Sequence, residues 1–154
     1  MKQPIILVAL AWGLIAPTGA GAADTCPYTA EYLSEQLGVK LKVVTQMRGM
    51  LGPACEYADD KRTLKIAVDA GPNPAPSAEA WRKMSSPPKT VWKAVPGDAD
   101  KAVVLESYPN GDPYPAVSYE RKNWLVDINV LGVRGAAAVA QWNGKLLKLK
   151  RLPQ

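Results

Sequence analysis

Carboxylate pairs are the side chains in this chain best suited to chemistry, because its 154 residues include no histidine. Without imidazole there is no Ser-His-Asp or Cys-His nucleophile, no His-ligated zinc and no ordinary group titrating near neutrality. Glycoside hydrolysis needs only two carboxyl groups, one kept protonated by burial. Glu106 with Asp112, and Asp98 with Asp100, are the pairs to weigh. Asp98-Ala99-Asp100 sits between Gly97 and Lys101 and reads better as a turn, where Asp bonds its own backbone. An EF-hand calcium loop is excluded there for want of the remaining ligands. Ser85, Ser86 and Lys89 lack the S-x-x-K spacing of a Ser-Lys dyad, and Pro87-Pro88 interrupts them. No metal or cofactor is expected.

The start of the chain says where such a protein works. Met1-Lys2-Gln3 precedes an apolar run from Ile5 to Ala16, and Pro17 to Ala23 ends in small residues. This is the pattern of a secretory leader, too short to span a bilayer, with cleavage after Ala22. Residues 1–22 are thus read as a signal peptide and 23–154 as one domain, periplasmic or secreted. Cys26 and Cys55, the only two cysteines, are then read as a structural disulfide, since a catalytic pair would more often be C-x-x-C. Asp24 argues against lipid attachment at Cys26, so no stable membrane anchor is expected. The net charge of +5 falls to about +4 without Lys2, a modest balance that suits acidic partners or anionic surfaces. Export makes nucleic acid an unsuitable target. The basic tail Lys145 to Leu152 reads as a solvated helix face.

Aromatic content points to contact surfaces. The proposed mature chain has Trp81, Trp92, Trp124 and Trp142, six tyrosines and no phenylalanine. Trp81, Trp124 and Trp142 occupy apolar-periodic positions and read as core. Tyr108 and Tyr114 lie instead in the irregular stretch Pro109 to Pro115, where prolines present an aromatic ring at low entropic cost.

The elements that must position these groups follow from periodicity and caps. Thr29 to Leu37 is a predicted helix with Thr29 as cap and Gly38 as terminator; Ser77 to Met84 is a second, stopped by Pro87-Pro88. Alternation predicts strands at Val39–Val43, Cys55–Tyr57, Leu64–Val68, Val91–Val95 and Ala102–Tyr108. Val117 and Tyr119, then Trp124, Val126, Ile128 and Val130, predict a hairpin around Arg121-Lys122-Asn123, with Asp127 and Asn129 on a less buried face. The last segment is ambiguous: Val139, Trp142, Leu146 and Leu149 recur at helical spacing, whereas Asn143-Gly144 signals a hairpin. Helix is preferred, because a long apolar face absorbs the roughly 1 kcal/mol cost of a mid-helix glycine. The fold class is therefore α+β, a single antiparallel sheet packed by N-terminal and C-terminal helices with one disulfide.

The order of landmarks resembles small exported bacterial proteins, many of them lipoproteins, of PsbP-like α/β fold. They are Cys26, Leu37-Gly38, Cys55-Glu56-Tyr57, Gly97-Asp98-Ala99, Trp124 to Val130, and Ala136 to Leu149. The resemblance spans nearly all the mature chain and implies a fold more than a function, since many members lack a known activity.

Together these readings favour an exported, non-enzymatic binding protein that docks on another extracytoplasmic protein, in one version an inhibitor or immunity-type partner of a toxin or lytic enzyme. Its expected contacts are Tyr108, Asn110, Asp112 and Tyr114, with Arg121 and Lys122 at the hairpin tip as a second patch. The alternatives are a glycan or lipid carrier with a pocket lined by Trp and Tyr, and a carboxylate-dependent glycoside hydrolase.

Overall fold

Among the described residues, seven antiparallel strands form one sheet in the order β1-β2-β3-β7-β6-β5-β4, and three helices pack on it. The computed structural model describes residues 25–154; the leader read in residues 1–22 lies outside them. In chain order the elements are α1 (Ala30–Leu37), β1 (Lys42–Arg48), β2 (Pro53–Ala58), β3 (Lys65–Pro72) and α2 (Ala78–Ser85). They continue with β4 (Val91–Ala94), β5 (Val103–Ser107), β6 (Ala116–Arg121), β7 (Trp124–Leu131) and α3 (Ala136–Leu146). The α+β class and the single antiparallel sheet agree with the sequence, and no described helix is long and apolar enough to cross a membrane.

Local signals account for most boundaries. Thr29 Oγ1 accepts the Tyr32 N–H at the start of α1, and Gly38 closes it at φ 71°, a left-handed conformation that glycine adopts without penalty. Ser77 caps α2 by accepting the Ala80 N–H. Lys122 and Asn123, both at positive φ, turn β6 into β7, as two-residue hairpins require. The first predicted strand is displaced: β1 begins at Lys42 rather than Val39. Ser34 Oγ takes the Leu41 N–H, and Leu41 is buried in the core, so this stretch serves as the helix-to-strand connection.

One sheet face carries the main core. Tyr57, Ile66, Val68, Val117, Tyr119, Val126, Ile128 and Val130 point to it and meet Leu33 and Leu37 of α1 and Leu146 of α3. Burial of these apolar surfaces drives the packing of both terminal helices onto one side. The disulfide Cys26–Cys55 joins the segment before α1 to β2. Asn143 explains why Asn143-Gly144 continues a helix. Its buried side chain accepts the Ala116 N–H at 3.1 Å, docking α3 on the end of β6.

The basic tail is a correction to the sequence reading. Helix α3 stops at Leu146, and the residues beyond it wrap over the core instead of forming a solvated helical face. Tyr28 Oη donates to the Lys150 carbonyl, and Tyr32 Oη accepts the Lys150 N–H. Arg151 lies over the Tyr119 ring at 4.4 Å and pairs with Asp98 at 2.5 Å. Lys145 and Lys150 likewise lie over the Trp142 and Tyr32 rings, while Lys148 is exposed.

Candidate ligand-binding cleft

The second sheet face is built from the polar parity of the strands. Cross-strand register places Asp69 of β3, Asp127 of β7 and Ser118 of β6 in one row, and Ala67, Asn129 and Ala116 in the next. Helix α2 covers part of this face through Trp81, packed with Leu51 and Leu125. Beyond it, the C-terminal end of α2, the 86–90 turn and the 108–114 loop wall a cleft of about 270 Å³. Trp81, Trp92, Tyr108, Tyr114, Asp69, Asp127 and Asn129 line it.

Each floor residue has a distinct environment. Asp69 accepts from the N–H groups of Met50, Leu51 and Gly52 at 3.1, 3.4 and 3.3 Å, which shapes the β1–β2 turn. Asp127 accepts from the Trp81 indole at 3.1 Å. Burial pushes the Asp127 carboxyl above the usual carboxylate range, and the nearby Asp69 adds to this against hydrogen bonds from Ser118 and Trp81. Arg82 reaches the same row, its Nη1 donating to Ser118 Oγ at 3.4 Å. Burial draws the Arg82 guanidinium below its ordinary value, opposed by Asp127, Glu79 and Glu120.

The aromatic walls are braced. Trp92 Nε1 donates to Ser86 Oγ at 3.3 Å, holding the indole between the cleft and a neighbouring recess of about 640 Å³. Tyr108 and Tyr114 meet edge to face, ring centroids 5.5 Å apart at 73°, and are half-buried. Burial raises the Tyr114 phenol, with Tyr108 adding to the shift. A single bridge between Tyr108 and Gly111 tightens the loop.

The residues expected to make contacts divide into separate places. Tyr108 and Tyr114 come together in the cleft, while Asn110 and Asp112 are exposed at the loop tip. Arg121 and Lys122 sit at the far end of β6, roughly 17–20 Å away along a strand of this length. Arg121 pairs with Asp100 at 3.4 Å, and Lys122 Nζ donates to the Gln154 carbonyl at 3.5 Å.

The carboxylate pairs weighed from sequence have structural partners. Asp98 Oδ1 accepts the Asp100 and Ala102 N–H groups, as its turn composition predicts, and Oδ2 binds Arg151. Glu106 pairs with Lys93 at 3.7 Å, whereas Asp112 lines a different recess beside Arg134. The pair that faces a cleft is Asp69 with Asp127. Its signal in the sequence was the shared parity of Asp127 and Asn129; Asp69 had no such marker before β3 and β7 were paired. Ser85 and Ser86 lie at the end of α2, with Trp92 Nε1 on Ser86.

Among the described residues, no three His, Cys, Asp or Glu side chains converge to hold a metal ion. The arrangement offers ring faces, a paired carboxylate floor, an amide and a guanidinium, a set that can both stack on and hydrogen-bond a polar ligand. No family model, curated protein or solved structure matches the chain, so the PsbP-like resemblance rests on its sequence landmarks alone.

Proposed function

We propose that this chain is an extracytoplasmic binding protein whose cleft holds a glycan. The observation that carries the reading is that the braced Trp92 and the Tyr108–Tyr114 pair line one cleft together with Asp127 and Asn129. Sugars present apolar C–H faces that stack on aromatic rings and hydroxyl edges that need donors and acceptors. Half-burial of the two tyrosines within a concave site favours a ligand entering the cleft over a flat docking surface. The disulfide, and the expected leader, support work outside the cytoplasm.

Titration of the oxidised domain with neutral oligosaccharides, followed by tryptophan fluorescence, tests this. Saturable binding that Trp92→Ala and Tyr114→Ala each weaken about ten-fold supports the cleft as the site. Binding that both variants leave intact overturns it.

A second reading, docking on another exported protein as an inhibitor or immunity-type partner, is favoured by one observation. Met47 and Met50, 54% and 72% exposed, line a groove of about 310 Å³ that shares Asp69 and Asn129 with the cleft. Exposed methionines form adaptable apolar surfaces suited to protein contacts. Affinity capture with the oxidised domain supports this reading if one stoichiometric protein is retained and is lost with Met47→Ser and Met50→Ser, the methionines of that groove. An empty bait, or retention unchanged in the variants, removes it.

A further inference from the structure

The recess on the other side of Trp92 differs in charge from the cleft. Arg82, Lys83 and Lys89 line it against a single carboxylate, Glu79. Among the described residues, none of the three cations has a carboxylate within ion-pair distance. Arg82 and Lys83 also complement the negative end of the α2 dipole, which accounts for two of the charges but not for Lys89. Lys89 belongs to the turn between α2 and β4, closed by the Thr90 N–H on the Pro87 carbonyl at 3.2 Å. Its φ is 72°, a conformation that turns of this kind ordinarily assign to glycine or asparagine. A lysine in that position gives the recess that Trp92 also lines a cation without an ion-pair partner, at a conformational cost that glycine would not incur.

We infer that this recess is an anion subsite and that the cleft's ligand is an acidic saccharide, with one ring on Trp92 and its negative group among Arg82, Lys83 and Lys89. The inference rests on the glycan reading and narrows it to a substrate class. Arg82 is the inner, half-buried contact, and a guanidinium binds a carboxylate through two parallel N–H donors. Lys83 and Lys89 are exposed and supply point charges at the rim. Trp92 lines both spaces, so an extended ligand can cross from the basic recess to the acid-floored cleft. Arg82 lines both spaces and reaches Ser118 beside Asp127, so the direction is set by Lys83 and Lys89, which line only the recess: the negative group lies at their end.

The test compares a uronic-acid hexasaccharide with a neutral glucose hexasaccharide on the full oxidised domain. Wild-type protein should prefer the uronate about ten-fold at low salt, and the preference should vanish at about 1 M salt, where the screening length is about 3 Å. Lys83→Gln and Lys89→Gly should each weaken uronate binding about three-fold and leave neutral binding unchanged. Lys89→Gly suits the turn, so it should fold with an undiminished Tm and separate charge from stability. Lys148→Gln, an exposed lysine outside the recess, should change nothing. Equal affinity for both hexasaccharides overturns the inference and leaves the glycan cleft standing. A uronate preference untouched by the lysine variants also overturns it, because the charge would then be read elsewhere. Uronate binding that depends on the lysines but not on Trp92 keeps the anion subsite and overturns the stacked-sugar reading. Binding of neither probe overturns both.

Discussion

Asp69 and Asp127 are register partners across β3 and β7, on the sheet face turned away from α1 and α3. Like charges directly opposite each other destabilise a sheet. The pair is accommodated by unequal surroundings: three turn N–H groups bind Asp69, whereas burial favours the protonated form of Asp127. The arrangement places two carboxyl groups in unlike surroundings side by side on the floor of an aromatic cleft.

Stability should carry the signature of Asp127. Its folded pKa lies above that of an ordinary aspartate, because burial disfavours the charged form. Its contribution is therefore full below the ordinary value and is lost as pH rises through the raised one. Asp127→Asn keeps an acceptor for the Trp81 indole but cannot ionise. The Tm of this variant minus that of wild type should grow as pH rises from below the ordinary carboxylate range to above it. A difference flat across that range would contradict the shift.

Asp69→Ala should cost about 1–3 kcal/mol, because it strips acceptors from partly buried amides in the β1–β2 turn. Urea denaturation gives the total. Hydrogen exchange should localise the loss to Met50, Leu51 and Gly52, whose amides bond Asp69. Unchanged protection at those three amides would refute the anchoring role.

Reducing Cys26–Cys55 should destabilise the domain by about 3.5 kcal/mol if loop closure in the unfolded chain dominates. Paired denaturation curves with and without a thiol reductant measure it. Two alkylatable thiols in exported, unreduced protein would show that the bond does not form.

The tail clasp is the fourth target. Arg151 is 17% exposed at the side chain and Asp98 13%, so removing one partner leaves a largely buried charge. Arg151→Met, which retains the stem packing, should cost about 3 kcal/mol. A double-mutant cycle with Asp98→Asn should show a coupling of about 1–3 kcal/mol. Additive effects would reduce the clasp to independent contacts.

Cleft binding gives the fifth. Tyr108→Ala and Tyr114→Ala should each weaken a ligand that enters the cleft, because both rings line it. Calorimetric titration of the two variants measures this, and unchanged affinity in either would remove that ring from the cleft wall.

Much of the architecture was written locally. Thr29, Gly38 and Ser77 mark helix ends by hydrogen bonds to residues within one turn, and the alternation from Trp124 to Val130 sorts buried from polar positions by strand geometry alone. Two cysteines in a chain read as exported were enough to infer their bond. Other features depended on distant partners. Asn143 continues a helix because the Ala116 N–H needs its side chain, and the basic tail folds back because Tyr28, Tyr32, Tyr119 and Asp98 await it. Tyr108 and Tyr114 were visible as aromatics in a rigid loop, but their place in one cleft with Trp92 was not. Asp69 acquired its meaning only when β3 paired with β7 and set it opposite Asp127. Caps, turns and periodicity are short-range and can be read along the chain. A cleft is made where strands far apart in sequence choose their register, and burying the opposite face of the sheet makes that choice.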